Sequence, residues 1–277
     1  MNQEKIVDIS MLGPFTVAYR GSSVRESRYK DALPWQLMKY LAANHPRKIG
    51  NDELAYGLWD TGKPFEESEG AIRVRLRRLR ESLNTIGLGN CRTGLVRSED
   101  DSFFLSPDYA VRTDLQQIRQ FIRFASEKNQ SPQNRIAACR QALWLFQGRY
   151  LELSTPAAWM EPGNTENRKL FCDLTQITIS LSSADPTGQT MTQLAEKALL
   201  VVPDETSVNT EIIRQLLRQG RVSDAVSHYS ALTRILAGRQ QTLPELSVFD
   251  QRRKAHETHP IQYQRQAAKA AGRTRSW

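Results

Sequence analysis

Five of the eight residues from Arg73 to Arg80 are arginine, the densest cationic chemistry in this 277-residue chain. A guanidinium is a planar, permanently charged fork of N–H donors. It suits paired acceptors such as the edge of a guanine or the oxygens of a phosphate. On an ideal helix at about 100° per residue, Ile72, Leu76, Leu79 and Leu83 fall within roughly 60° of arc, a stripe that needs a core. Val74, Arg77 and Arg78 then point away from the stripe, Arg73 and Arg80 take one shoulder, and Arg75 takes the other. The spacing predicts a helix over 68–83, docked on its leucine side and cationic elsewhere. A basic face turned only to solvent would show the same pattern, so the neighbouring elements must decide between the two.

Other chemistry is thin. Asp60-Thr61-Gly62 matches the aspartic-protease triplet but sits in a polar loop between helices, where a turn accounts for it. His45, His228, His256 and His259 lack the i, i+4 pairing or nearby cysteines of a metal site, so no metal is expected. Neither a phosphate-binding G-x-x-x-x-G-K-[ST] loop nor a G-x-G-x-x-G after a strand is present, so no cofactor and no enzymatic activity are expected. Cys91, Cys139 and Cys172 are odd in number and widely spaced, which predicts reduced thiols and a cytoplasmic protein. Arg92 beside Cys91 could lower that thiol's pKa, but a structural or incidental thiol is the expectation. Trp35, Trp59, Trp144 and Trp159 lie in apolar surroundings and read as core residues. No apolar run of about 18 or more residues exists to cross a membrane.

The elements around the arginine helix have a definite order. Ile6–Leu12 and Phe15–Tyr19 read as strands broken at Gly13-Pro14, with a turn at Gly21-Ser22-Ser23. A first helix starts near Leu33 with Pro34 in its first turn and ends at His45-Pro46. Lys48-Ile49 can pair briefly as a strand. Asn51, with Asp52 and Glu53 behind it, caps a short second helix through Trp59. The basic helix follows, and then a hairpin: Gly94–Ser98, an acidic tip at Glu99-Asp100-Asp101, and Phe103-Phe104-Leu105. From Thr113 the pattern becomes purely helical. Segments begin at Thr113-Asp114, at Ser131-Pro132, after a Pro156–Gly163 link, and after Thr187-Gly188; Val208–Leu217 and Val222–Leu236 form a pair around Gly220. Helix pairs joined by short turns, with Gly220, Ala225 and Tyr229 in register, look like tetratricopeptide-type repeats.

Three domains result: 1–110, 111–248, and a basic tail 249–277. Formal net charge is +8. Residues 251–277 hold seven Lys/Arg against one Asp/Glu, so most of the excess sits in the tail. That tail is a solvated segment or a nonspecific nucleic-acid arm.

Strands, helix, short helix, basic helix and hairpin resemble the OmpR/PhoB-type winged helix-turn-helix. The resemblance rests on L-M-K-Y-L-A, D-E-L-A-Y-G-L-W, A-I-R-V-R-L-R-R-L-R-E-S-L and the closing F-F-L, with Arg78-Leu79-Arg80 and Leu83 matching the family's R-L-R-x-x-L run. Behind it, A-L-W-L-F-Q-G-R-Y-L, A-A-W and L-L-R-Q-G-R-V-S-D-A-V-S-H-Y resemble the bacterial transcriptional activator domain of Streptomyces antibiotic regulatory protein-like regulators. The implied fold is an α+β winged helix-turn-helix domain followed by an all-α tetratricopeptide-like repeat domain.

The resemblance implies a sequence-specific, DNA-binding transcriptional activator. Val74, Arg75 and Arg78 would read bases, and Arg73, Arg77 and Arg80 would hold phosphates or sugars. Gly70 and Ala71 are small enough for close approach to the DNA backbone, and Arg97, with Arg92, could reach it from the wing strand. Implied partners are promoter double-stranded DNA, RNA polymerase and a second copy bound head to tail on direct repeats, with no membrane, and the helical domain would supply dimerisation, contact with RNA polymerase, or both. The strands begin near residue 5, so no receiver domain is expected ahead of them. The acidic wing departs from the family's basic or glycine-rich tip, and beside phosphates it would repel. The competing reading is a helical-repeat interaction scaffold whose winged helix binds protein instead of an operator.

Overall fold

Alternating apolar and polar residues build the first sheet of the computed structural model, which describes residues 5–26, 32–59, 65–154 and 156–238. The tail 249–277, the Asp60–Pro64 loop, residues 239–248 of the expected helical domain, and the side chains of Trp59 and Ser68 lie outside the described residues. Two units separate, Met1–Val202 and Pro203 onward.

The first unit starts with strands β1 (Ile6–Ser10), β2 (Thr16–Tyr19) and β3 (Ser22–Arg25), followed by helix α1 (Ala32–Asn44). Strand β4 (Ile49–Gly50) leads into α2 (Asn51–Trp59) and α3 (Phe65–Asn84). The hairpin β5 (Val96–Glu99) and β6 (Ser102–Leu105) precedes β7 (Ala110–Thr113). Helices α4 (Asp114–Ser126), α5 (Pro132–Leu145), α6 (Glu161–Ser180) and α7 (Gln189–Val201) complete it.

Val7 and Ile9 point from β1 into the core. The β2–β3 turn places Arg20 and Gly21 at φ 51° and 80°, the left-handed pair that suits a twisted two-residue hairpin. The expected turn at 21–23 is therefore shorter than the sequence suggested, and Ser22 and Ser23 belong to β3. Strand β7 was not expected. Four residues, A-V-R-T, are too few to show alternation, yet they pair in parallel with β1 and complete the order β3-β2-β1-β7. The expected boundary between 110 and 111 falls inside this strand. The wing is a second sheet, β4-β6-β5, closed by Asp100 and Asp101 at φ 47° and 56°.

Between the sheet and the helices runs a seam where two backbones approach closely at a pair of glycines. Gly13 sits at φ 86°, and a Cβ on Gly148 would lie 2.7 Å from the Gly13 Cα. That approach lets Gly13 N–H donate to the Arg149 carbonyl at 2.8 Å and Leu151 N–H to Met11 at 2.7 Å, with Leu12 bridged to Tyr150. The buried Asp114 carboxylate accepts the Met11 and Leu12 amides at 2.7 and 2.8 Å, satisfying donors that β1 leaves behind. Thr113 and Gln116 form a capping box around it, which sets the start of α4.

Alongside the seam, Lys39 of α1 is 1% exposed and donates to Glu26 at 2.6 Å and to Ser154 at 2.7 Å. Burial pulls the Lys39 pKa down while Glu26 supports the charge. Tyr40 stacks edge-on against Trp159 at 5.2 Å.

Two expectations need correction among the helices. The Pro156–Gly163 link ends early, because Glu161, Pro162 and Gly163 already form the first turn of α6, where proline's missing N–H costs nothing. Trp144 is not core: it is 64% exposed on α5, whose buried line is Ile136, Cys139 and Leu143. None of the described helices is long and apolar enough to cross a membrane.

In the second unit, α8 (Thr206–Arg218) and α9 (Val222–Ala237) pack as a helical pair. Gly220 at φ 72° ends α8 with Arg221 N–H on the Leu216 carbonyl at 2.9 Å, a left-handed cap. Ala225 and Tyr229 are buried at the repeat positions. His228 lies 3.0 Å from the Asn209 Oδ1, so its Nε2 donates, and burial holds the ring down to about 4, neutral near pH 7.

Gly148→Ala should cost about 1–3 kcal/mol, because the added methyl must push backbone from backbone; thermal melts check it. Burial raises the Asp114 carboxyl to about 6 from 3.8, against the pull of its N–H donors. The native chain then binds this proton more tightly than the unfolded one. Its stabilisation is full below about pH 4 and is lost as pH rises through about 6. The stability advantage of wild type over Asp114→Asn should therefore shrink between those values; a gap that widens toward neutrality would show the carboxylate to be the favoured form.

Candidate nucleic-acid interface

The arginine stretch forms one helix, α3, which begins three residues earlier than expected. Ile72, Leu76, Leu79 and Leu83 are all buried, on a helix packed against α1 and α2. The leucine stripe therefore fixes how α3 is rotated, and rotation decides which arginines reach solvent.

Val74 is 43% exposed, with Arg73, Arg77 and Arg78 exposed around it. Arg75 is different. The helical projection placed it on an outer shoulder, but the structure leaves it 9% exposed, with burial lowering its pKa. About 70° from the centre of the stripe lies within the packed arc here, and Arg80 at a similar angle on the other side is half-buried too. Arg80 donates from Nε and Nη2 to the Val96 carbonyl of β5 at 3.4 and 3.1 Å, so it braces the wing against the helix. Burial lowers its pKa as well.

The wing arginine is also engaged. Arg97 is held by Glu99 and, at 3.8 Å, by Asp108. The acidic tip is anchored in turn: Asn51 donates its N–H to the Asp101 carbonyl at 3.0 Å and its amide to Asp101 Oδ1 at 3.2 Å. Arg92 lies exposed in the turn before β5, where Asn90 accepts its N–H at 2.8 Å. Gly70 has open space around the position of a Cβ, and Ala71 beside it is exposed, so small size is not demanded there by packing.

Between α3 and the wing lies an open trough of about 610 Å³. Arg73, Arg77 and Arg80 line it together with Glu81, and Asn84, Cys91 and Ser98 are also in the lining. Arg77 stays 3.7 Å from Glu81, an exposed i, i+4 pair that a stronger anion would displace at little cost. Asn84 and Ser98 leave no mark in the sequence because single small polar residues carry no periodic signal, and Cys91, expected to be a structural or incidental thiol, lines the trough. The structure thus brings Arg73, Val74, Arg77 and Arg78 onto one open face, packs Arg75 inward, leaves Arg80 half-buried at the trough on the Val96 carbonyl, and occupies Arg97 with carboxylates.

The model of the bacterial transcriptional activator domain matches residues 113–253. Among solved structures, the chain is similar to Mycobacterium tuberculosis EmbR in complex with a low affinity phosphopeptide. That similarity is at 20% identity and a TM-score of 0.47, over 87% of this chain and 67% of that one. No curated protein matches the chain. With the domain model spanning just over half of its length, the chain belongs to the bacterial transcriptional activator domain family.

Proposed function

We propose that this protein is a sequence-specific DNA-binding transcriptional regulator, an activator that lays α3 in the major groove. The observation carrying the reading is the open face formed by Arg73, Val74, Arg77 and Arg78, opposite the buried leucine line. Arg78 reads a base edge with its guanidinium fork, and Val74 meets a thymine methyl. Arg73 and Arg77, lining the trough beside the wing, take phosphates. Arg75 acts from inside, packed within the domain, and half-buried Arg80 braces β5 at the edge of the trough. Arg97 contacts DNA only after leaving Glu99 and Asp108, so the wing contributes less than the helix.

The regulator works in the cytoplasm, where its DNA is. Two copies occupy the operator, and the helical domain serves to pair them, to contact RNA polymerase, or both. Residues 1–110 serve as the DNA-binding domain, 111–248 as the activator domain and 249–277 as a basic tail, with β7 and Asp114 joining the first two. Because a cut at 110 would strip Met11 and Leu12 of their acceptor, binding should be measured on the full chain.

Affinity for a preferred promoter fragment should fall steeply with salt, with a log–log slope of several units. Arg78→Ala should cost about 1–3 kcal/mol on that fragment and relax sequence choice. Equal losses on specific and random DNA would demote Arg78 to a phosphate contact. Weak binding indifferent to sequence would favour the scaffold reading. Neutralising the wing with Glu99→Gln and Asp100→Asn should tighten binding to any DNA without changing the preferred sequence, as fluorescence anisotropy would show. An unchanged affinity would place the tip away from the phosphates.

A further inference from the structure

The outer face of the first sheet is a shelf of small side chains with a cationic rim. Register puts Asp8, Ala18 and Ser23 in one row across β1, β2 and β3, with Arg112 of β7 beside Asp8. Ala18 and Ser23 leave a hollow of about 560 Å³, rimmed by Lys5, Arg20 and Arg112. Arg112 forks onto Asp8 at 2.8 and 2.9 Å and so offsets the one carboxylate in the lining. Arg20 lies over the Tyr19 ring at 5.1 Å and Lys5 over Tyr109 at 5.5 Å, so aromatic faces hold both cations in place. Neither pairs with a carboxylate among the described residues. Exposed Arg25, two residues after Ser23, continues the same face.

The wing ends in the opposite charge. Glu99, Asp100 and Asp101 are all exposed. Asp100 and Asp101 turn the chain at φ 47° and 56°, and the Asn51 amide holds Asp101 at 3.2 Å, so the carboxylates sit on an anchored turn. Arg97 satisfies Glu99, whereas the Asp100 carboxylate meets no cation among the described residues. Such a tip is poorly suited to a groove lined with phosphates. Residues 1–110 hold 16 Lys/Arg against 15 Asp/Glu, so attraction between two such domains depends on where the charges sit and not on their sum.

We propose that the acidic wing tip of one copy docks on the cationic sheet shelf of a second copy bound next to it on DNA, with Asp100 facing Arg20 and Lys5. A duplex laid on the shelf would account for the cations but leave the acidic tip without a role; a second copy accounts for both. The two surfaces are different parts of the chain, so the contact is heterologous and repeats without closing. It therefore orders neighbouring copies in one direction along the duplex, and it uses neither the helical domain nor the open face of α3. The inference rests on the two-copy part of the proposed function and names the surfaces that join the copies.

Mobility shifts of the full chain test it on three duplexes, carrying one preferred site, two in the same orientation, or two with one inverted. On the same-orientation pair the second copy should bind at least about tenfold more tightly than the first, with no such gain on the inverted pair. Arg20→Asp and Asp100→Arg should each remove the gain, and the exchange Arg20→Asp/Asp100→Arg should restore it, since every contact again meets its complement. Both positions are exposed left-handed turn residues, so the exchange asks for no new backbone shape, and melting checks this. Lys5→Glu supplies a second route if Arg20→Asp melts early. Cooperativity that survives both shelf variants, that stays absent in the exchange, or that persists on the inverted pair would overturn the proposal. An equal loss of affinity for the single site in Arg20→Asp would also overturn it and assign the shelf to DNA. If single sites bind no better than random duplex, the operator reading falls alone, because the same exchange is then read as neighbour cooperativity on random DNA.

Discussion

The approach of Gly13 to Gly148 is the constraint on which the first unit depends. Side chains at either position would hold the two backbones apart, and the amide-to-carbonyl links from Gly13 to Arg149 and from Leu151 to Met11 would be lost. Asp114 fills the remaining need by accepting the two amides at the end of β1. Three stretches far apart in sequence thus share one buried hydrogen-bonded seam. Lys39 extends it into the first helix of the winged element, and since α3 packs on that helix, its pitch is referenced to the helical region as well as to the wing. An unpaired polar group in this seam would be costly, so its members stand or fall together.

Charge on α3 is divided more finely than the count of five arginines suggests. Arg75 and Arg80 lose much of their hydration to packing, and Arg80 recovers part of it from a backbone carbonyl. Arg97 of the wing is neutralised by neighbours of opposite sign. Arg73, Arg77 and Arg78 lie exposed on α3 with the apolar Val74 among them. A narrow face of this kind favours shape and donor geometry over bulk charge. The acidic turn at Glu99–Asp101 sharpens that bias, since it discourages polyanions from settling on the wing.

Much of this was legible in the sequence. The leucine spacing of α3, the order of elements up to the wing, and the helical start at Thr113-Asp114 all follow from periodicity and capping. Where sequence reading fell short, the physical reasons differ. Strand β7 is too short to alternate, and its pairing with β1 is a long-range event. Arg75 is packed inward although its helical angle suggests a shoulder, because an angle measured from one stripe says nothing of how wide the surrounding walls are. Trp144, apolar enough for a core, stays exposed because Ile136, Cys139 and Leu143 already supply the buried line of α5. The pairing of Gly13 with Gly148 leaves no local trace, since neither residue's neighbours reveal what backbone will approach it.

The seam bears on how such proteins change over generations. Glu26, Lys39 and Ser154 share one buried contact, and positions 13 and 148 share another. A replacement at any one of them alters the surroundings of residues on the far side of the chain, so tolerated changes should arrive in pairs or triplets. Helix α3 and the helical region are then co-inherited as one block, and shuffling of ancestral modules at residue 110 would leave chimeras with mismatched halves of a single interior.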